Sequence, residues 1–209
     1  LTNKIESSKS IFSRLSAKFF HLLNANTASG SRKNISAHYD LGNEMFELFL
    51  DPTMMYSCAY YPDEKTSLEQ ASLAKLKRIC DKLQLNESDH VIEIGTGWGG
   101  FALYAAENYG CKVTTTTISQ QQHDWAKQRI IEAGLEDKIT LLMEDYRDLQ
   151  GTYDKLVSIE MIEAVGPQFF PAYFKQGQAL LKPGGKMVFQ AITIENLRYE
   201  KYCRERDWI

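Results

Sequence analysis

The run VIEIGTGWGG sets Gly95, Gly97, Gly99 and Gly100 directly behind a short β-rich stretch and ahead of a helical one. Glycines at such a junction let the backbone approach a bulky ligand without Cβ collisions, and the helix behind them offers unpaired N–H groups. A Gly-rich turn alone does not select its ligand, because nicotinamide and flavin enzymes use similar turns. Two further features do. The spacing is G-x-G-x-G, not G-x-G-x-x-G, and Glu93 stands two residues before the first glycine, where it can face the cationic methionine end of S-adenosylmethionine. A dinucleotide site would also want an acid closing the second strand for a ribose hydroxyl; this chain has Thr115, Thr116, Thr117 and, further on, Gln122. Asp145 and Tyr146 come after the third strand, an acceptor for an adenine amino group and a flat apolar face for its ring. With Trp98 inside the turn, the expected cofactor residues are Glu93, Gly95, Gly97, Trp98, Gly99, Thr117, Gln122, Asp145 and Tyr146; the alternative is a purely structural turn. A second carboxylate, Glu163, lies near a strand's C-terminal edge between Ile162 and Val165, where a raised pKa would let it donate to an anion. Its alternative is a solvated charge at a helix start.

The elements that must carry these residues alternate. His90 to Ile94, Lys112 to Thr116, Lys138 to Met143, Lys155 to Ile159 and Lys186 to Ala191 are short β-rich runs, with helical segments at Gly100 to Asn108, Gln120 to Ala133 and Phe169 to Leu181 between most of them. That order predicts an α/β fold with a doubly wound, mostly parallel sheet covered on both faces. A capping box from Thr66 to Glu69 opens an earlier helix with Leu68, Ser72, Leu76, Ile79, Cys80 and Leu83 on one face. Lys182-Pro183-Gly184-Gly185 reads as a helix stop feeding the last strand.

The chain has 209 residues, 44% of them apolar, enough for one such domain and a short appendage. Two parts are expected: a basic helical arm with its linker over residues 1–38, and the cofactor domain over 39–209. In the arm, Ile11, Phe12, Leu15, Phe19, Leu22 and Leu23 recur at helical spacing, with Lys9, Arg14, Lys18 and His21 falling largely between them. Such a helix either lies in a membrane interface or packs on the protein's own body; Asn24 to Asn34 then reads as linker. Residues 1–33 carry six basic groups against Glu6 alone, a net +5, while the remainder holds 18 basic and 26 acidic residues, a net −8. An acidic body argues against a nucleic-acid-binding protein. Cys58, Cys80, Cys111 and Cys203 form no C-x-x-C pair and no metal-like cluster with the histidines, so neither zinc nor a disulfide framework is expected, and a reducing cytoplasm is the simpler location. No apolar run approaches the roughly 20 residues that span a bilayer, and no signal-peptide pattern opens the chain, which lacks an initiator Met; a soluble, trimmed chain is expected.

Taken in order, HYDLGNEMFELFLDPTMMYSCAYYPDE, IGTGWGGFA, TISQQQ, DYRDL, EMIEAVGPQFFPAYF and LKPGGKMVFQAITI, from about His38 to Ile194, resemble the cyclopropane fatty acid synthase and mycolic acid cyclopropane synthase family. The resemblance implies a Rossmann-like methyltransferase. Such an enzyme transfers a methyl group from S-adenosylmethionine to a cis double bond of an acyl chain, usually in a membrane phospholipid, and forms a cyclopropane ring with bound bicarbonate as base. It implies cofactor contacts for Tyr56 and Ser57, and a bicarbonate site of Cys58, Glu163 and the Ile192 backbone amide; for Cys58 the alternative is a small buried apolar side chain. It also implies a peripheral membrane enzyme on the inner face of the membrane, and a homodimer is a further expectation because family members often dimerise. An alkene is a weak nucleophile whose methylation leaves a carbocation, so the site must exclude water and offer one positioned base. Tyr39, Phe46, Phe49, Tyr56, Tyr60, Tyr61, Phe169, Phe170, Tyr173 and Phe174 are dense around the matched blocks, and a share of them would wall an acyl channel.

Three departures from the family pattern bear on chemistry. Gln190 stands where many members have His, and it can donate to an anion but cannot shuttle a proton. Ala164 comes after Glu163 where His is frequent. The family's downstream tyrosine and the last strands of its sheet are expected beyond Ile209. A relative giving a methyl-branched or exomethylene chain would share the first step, a small-molecule N- or C-methyltransferase would share the scaffold without needing an anion cradle, and a membrane-associated binding protein would hold the cofactor without turnover.

Overall fold

In the computed structural model, described from Asn43 to Tyr202, a helix of one turn, α1 (Asn43–Glu47), precedes α2 (Leu68–Leu83). The α/β part then runs β1 (His90–Ile94), α3 (Gly100–Tyr109), β2 (Lys112–Thr116), α4 (Gln120–Glu132), β3 (Ile139–Leu142) and β4 (Tyr153–Ile159). Next come two 3₁₀ turns (Ile162–Ala164 and Pro167–Phe169), α5 (Phe170–Leu180) and β5 (Leu181–Gln190). A further helix, α6 (Asn196–Tyr202), lies outside the unit bounded by Tyr39 and Ile192. The expected amphipathic arm and linker fall outside the described residues.

The five strands form one all-parallel sheet in the order β3-β2-β1-β4-β5. The chain winds outward from β1 on one side, then crosses to β4 and β5 on the other, so β1 and β4 flank the switch point where open α/β sheets bind ligands at strand C-termini. Threonines serve β2 because their branched side chains suit a strand, and Thr114, Thr115 and Thr116 are all buried there. One core cluster gathers Leu76, Ile79, Leu83, Val91, Phe101, Ala105, Val113 and Val157; another gathers Ile92, Ile94, Leu149, Leu156, Tyr173 and Leu180.

Two boundaries differ from expectation for local reasons. The capping box of α2 is built by Ser67 and Gln70, one residue later than Thr66 and Glu69: Ser67 Oγ accepts the Gln70 N–H at 3.3 Å and Gln70 Oε1 accepts the Ser67 N–H at 3.1 Å. The Thr66 N–H is already committed to the Asp63 carbonyl, closing the preceding turn. Leu68 is consequently exposed, and the buried face holds Lys75 among Ala71, Ser72, Leu76, Ile79, Cys80 and Leu83. Lys182–Gly185 do not precede the last strand but interrupt it, between the register pairs Tyr153↔Leu181 and Lys155↔Lys186.

Candidate active site

β1 ends at Ile94 and the chain turns at once, with Gly95, Gly97 and Gly99 at φ of +100°, +52° and +88°, a backbone that L side chains rarely adopt. The turn is anchored by the N–H groups of Gly95 and Thr96, which donate to the Thr116 carbonyl at the end of β2 at 3.1 and 2.9 Å. A Cβ on Gly97 would meet nothing within 4 Å, so the turn faces open space there. Gly100 answers a different demand: a Cβ would fall 2.5 Å from Met55 Sδ and 2.8 Å from the Thr53 carbonyl. Only glycine lets that segment lie against the start of α3.

Glu93, 2% exposed, accepts the Thr115 hydroxyl at 2.6 Å, and Thr115 Oγ1 lies 2.7 Å from Thr96 Oγ1. Burial pushes the Glu93 carboxyl up to about 8, against the lowering effect of the Thr115 hydroxyl, so it carries a proton at neutral pH. At the end of β2 the Thr117 hydroxyl donates to Gln122 Oε1 at 2.9 Å, which unites those two residues. Asp145, 4% exposed, is gripped by Arg147, whose Nε donates to Oδ1 at 2.7 Å and Nη2 to Oδ2 at 2.6 Å. Tyr146 is buried edge-on to Tyr173, with ring centroids 5.2 Å apart. Trp98 is buried with Phe46 and Met54, and its Nε1 donates to Asn43 Oδ1 at 2.8 Å.

Beside the glycine turn lies the end of β4 and β5. A Cβ on Gly95 would meet Met161 Cβ and Cγ at 3.4 Å, and Met161 sits between Glu160 and Glu163. Ile159 pairs with Gln190 across the two strands, so the segment leaving β4 faces the segment leaving β5. There the Ile192 N–H donates to Glu163 Oε1 at 2.6 Å, which unites those two expected residues. Gln190 Nε2 donates to the Cys58 carbonyl at 3.2 Å and to Glu160 Oε1 at 2.6 Å, and the Cys58 N–H donates to that same oxygen at 3.1 Å. Cys58 is exposed, not a buried apolar side chain. Tyr56 is half-exposed and stacks edge-on to Phe46, while Ser57 accepts from Lys75 Nζ through its carbonyl at 3.1 Å and its hydroxyl at 2.7 Å.

Sequence reasoning missed Glu160, Lys75 and Arg129. Glu160 comes directly after β4, at a position where such sheets carry chemistry, but Glu163 in the same EMIE string is the more conspicuous carboxylate. Lys75 could have been found as a cation three residues after Ser72 on a buried helix face; burial lowers its ammonium to about 8, against the raising effect of Glu160, Cys58 and Asp51. Arg129 on α4 donates to the carbonyls of Thr53, Trp98 and Pro52 at 3.1, 2.9 and 3.1 Å, tying the strip before Tyr56 to the glycine turn. Nothing in the local sequence announces that tie. Near the start of α4, Gln121 Oε1 and Trp125 Nε1 are buried with no hydrogen-bond partner among the described residues.

A family model described as mycolic acid cyclopropane synthetase matches residues 26–209. The chain belongs to that family. Among relatives of this mycolic acid cyclopropane synthetase family member, the tuberculostearic acid methyltransferase UfaA1 of Mycobacterium tuberculosis is 40% identical over 186 residues, 86% of this chain and 43% of that protein. The cyclopropane-fatty-acyl-phospholipid synthase of Escherichia coli is 47% identical over 155 residues, 74% of this chain and 39% of that protein. The chain thus spans about two-fifths of the curated relatives it matches. The crystal structure of mycolic acid cyclopropane synthase CmaA1 complexed with SAH and CTAB superposes with a TM-score of 0.73 at 32% identity, over 76% of this chain and 55% of that one.

Proposed function

We propose that this protein transfers a one-carbon unit from S-adenosylmethionine to the cis double bond of an unsaturated phospholipid acyl chain and closes a cyclopropane ring. The observation that carries this reading is the meeting of an open G-x-G-x-G turn with a carboxylate-rich junction after β4 and β5, within contact distance at Gly95 and Met161. When bound, S-adenosylmethionine supplies a sulfonium methyl group, with the sulfur as leaving group. The chain's residues fit it: the space over Gly97 is open, Glu93 is a buried carboxyl that a cationic ligand would ionise, and Gln121 Oε1 and Trp125 Nε1 lack partners among the described residues. In this reading Tyr56, Ser57, Thr117, Gln122, Asp145 and Tyr146 hold the ligand, and Trp98 supports the turn from behind.

Half-exposed Phe49 and Tyr56, packed edge-on near 6.5 Å, and Phe46 beneath them give one apolar wall next to Cys58. Such rings exclude water that would trap a cation and offer π-faces to it. Because the substrate lies in a bilayer, the protein works at a membrane surface from the cytoplasmic side; among the described residues no helix is long and apolar enough to cross a membrane. Bicarbonate fits less well. The N–H groups around its expected place are engaged: the Cys58 amide and Gln190, which stands in place of the family's His, by Glu160, and the Ile192 amide by Glu163.

A second reading, a methylene- or methyl-branched product from the same first step, is favoured by Gln190, which cannot relay a proton, and by likeness to a relative named for tuberculostearic acid. Mass spectrometry and proton NMR of lipids from cells expressing the full-length protein separate the two. A gain of one CH₂ with loss of the olefinic signal and appearance of ring protons supports cyclopropanation; methylene or branched-methyl signals support the second reading, and unmodified lipids refute both.

A further inference from the structure

Glu160 is placed as an external anion would be. One of its carboxylate oxygens gathers two donors from distant parts of the chain, the Cys58 amide at 3.1 Å and Gln190 Nε2 at 2.6 Å. Its own N–H donates to the Gln190 carbonyl at 2.9 Å, so backbone and side chain are both pinned to the end of β5. Its backbone has a φ of +46°, one of three non-glycine residues with positive φ among those described. A non-glycine residue in that region is strained and persists only where the surroundings hold it. Gln84, another of the three, caps α2, a common place for such a backbone; Glu160 caps no helix and spends its strain at the junction facing the glycine turn.

We infer that Glu160 is the built-in proton acceptor of the reaction and replaces bicarbonate in this protein; the inference rests on the proposed transfer to an alkene. The alkene π pair forms a bond to the sulfonium methyl carbon, the C–S pair leaves with sulfur, and the adjacent acyl carbon becomes cationic. A Glu160 carboxylate oxygen then removes a proton from the transferred methyl group. The released C–H pair closes the third side of a cyclopropane or, after a 1,2-hydride shift, forms an exocyclic C=C bond. Glu160 returns the proton to water, so no further reactant is needed. Gln190 and the Cys58 amide position the carboxylate. Glu163 acts one step away by fixing the Ile192 amide. This division explains how Gln190 can stand where the family often has His: the proton goes to a carboxylate beside it.

The test uses the full-length protein, unilamellar vesicles of cis-unsaturated phosphatidylglycerol, and S-adenosylhomocysteine release as readout. Wild type is assayed in buffer scrubbed of carbon dioxide and again with added bicarbonate, beside Glu160→Gln and Glu160→Asp. Wild-type kcat should change less than about twofold with bicarbonate, while Glu160→Gln should lose about 10²-fold or more in kcat, the usual worth of a general base. S-adenosylmethionine affinity should stay within about threefold, and Glu160→Asp should recover part of the rate. Wild-type turnover that collapses without bicarbonate, or Glu160→Gln turnover within about threefold of wild type, would overturn the assignment. The bicarbonate comparison needs no variant, so a misfolded Glu160→Gln would not shelter the idea. If wild type binds S-adenosylmethionine yet releases no product on any vesicle, the parent reading fails instead, and this role with it.

Discussion

Replacing Glu93 by Gln removes one titrating group from a fully buried position and leaves its shape nearly intact. The wild-type carboxyl, 4.5 when free in an unfolded chain and pushed to about 8 in the fold, favours its protonated form in the native state. The sign comes from linkage: a raised native pKa gives a contribution that is whole below about pH 4.5 and is lost as pH climbs through about 8. At roughly 1.4 kcal/mol per pH unit, that loss amounts to about 5 kcal/mol once pH exceeds about 8. Glu93→Gln does not titrate, so the variant's stability relative to wild type should rise steadily between these limits. Paired urea unfolding curves at about pH 5.5 and about pH 8.5 should show this difference growing by about 3 kcal/mol in the variant's favour, every other titrating group cancelling between the two proteins. A difference that stays flat, or that falls with pH, would mean the native carboxyl is ionised at neutrality and would refute the burial argument.

If the cationic end of S-adenosylmethionine meets Glu93, binding near pH 7.5 should release a fraction of a proton; calorimetry in buffers of different ionisation enthalpy measures it, and Glu93→Gln should abolish it. Lys75 has the opposite slope: its ammonium, lowered from 10.5 to about 8, costs the fold roughly 3 kcal/mol below that pH and the cost fades as pH rises to about 10.5, so any stability advantage of Lys75→Met should shrink between about pH 8 and 10, read by chemical denaturation. Gly100→Ala should cost about 1–3 kcal/mol through the clash with Met55 and Thr53, a substitution at open Gly97 costing less packing but more ligand affinity. Glu163→Ala, which removes the acceptor of the Ile192 N–H, should hold S-adenosylmethionine affinity within about threefold while lowering turnover, whereas Glu163→Gln, whose Oε1 can still accept it, should keep most of the rate; steady-state kinetics with a binding assay decides.

The sheet was readable because its signals are local. Five β-rich runs separated by helical spacing place β1 and β2 to the residue, and glycines at G-x-G-x-G fix the turn through their φ angles. Boundaries slipped where a neighbour competed, as when Asp63 took the Thr66 N–H and moved the α2 cap to Ser67. Within the site, the Glu163 and Ile192 pairing and the Thr117 and Gln122 pairing involve residues singled out from sequence. Glu160 was not, because its meaning comes from partners 102 and 30 positions away, Cys58 and Gln190. Asp145 is an expected ligand acceptor, and the forked partner that Arg147 gives it from two residues further on is invisible to a strand-by-strand view.

Arg129 fastens the strip at Pro52 and Thr53 to Trp98 with one guanidinium. One nitrogen of that fork, Nη1, bridges Thr53 and Trp98, so a single side chain joins the segment ahead of Tyr56 to the cofactor turn. Arg129→Lys, with one ammonium in place of the planar fork, should weaken that bridge and slacken both ends together.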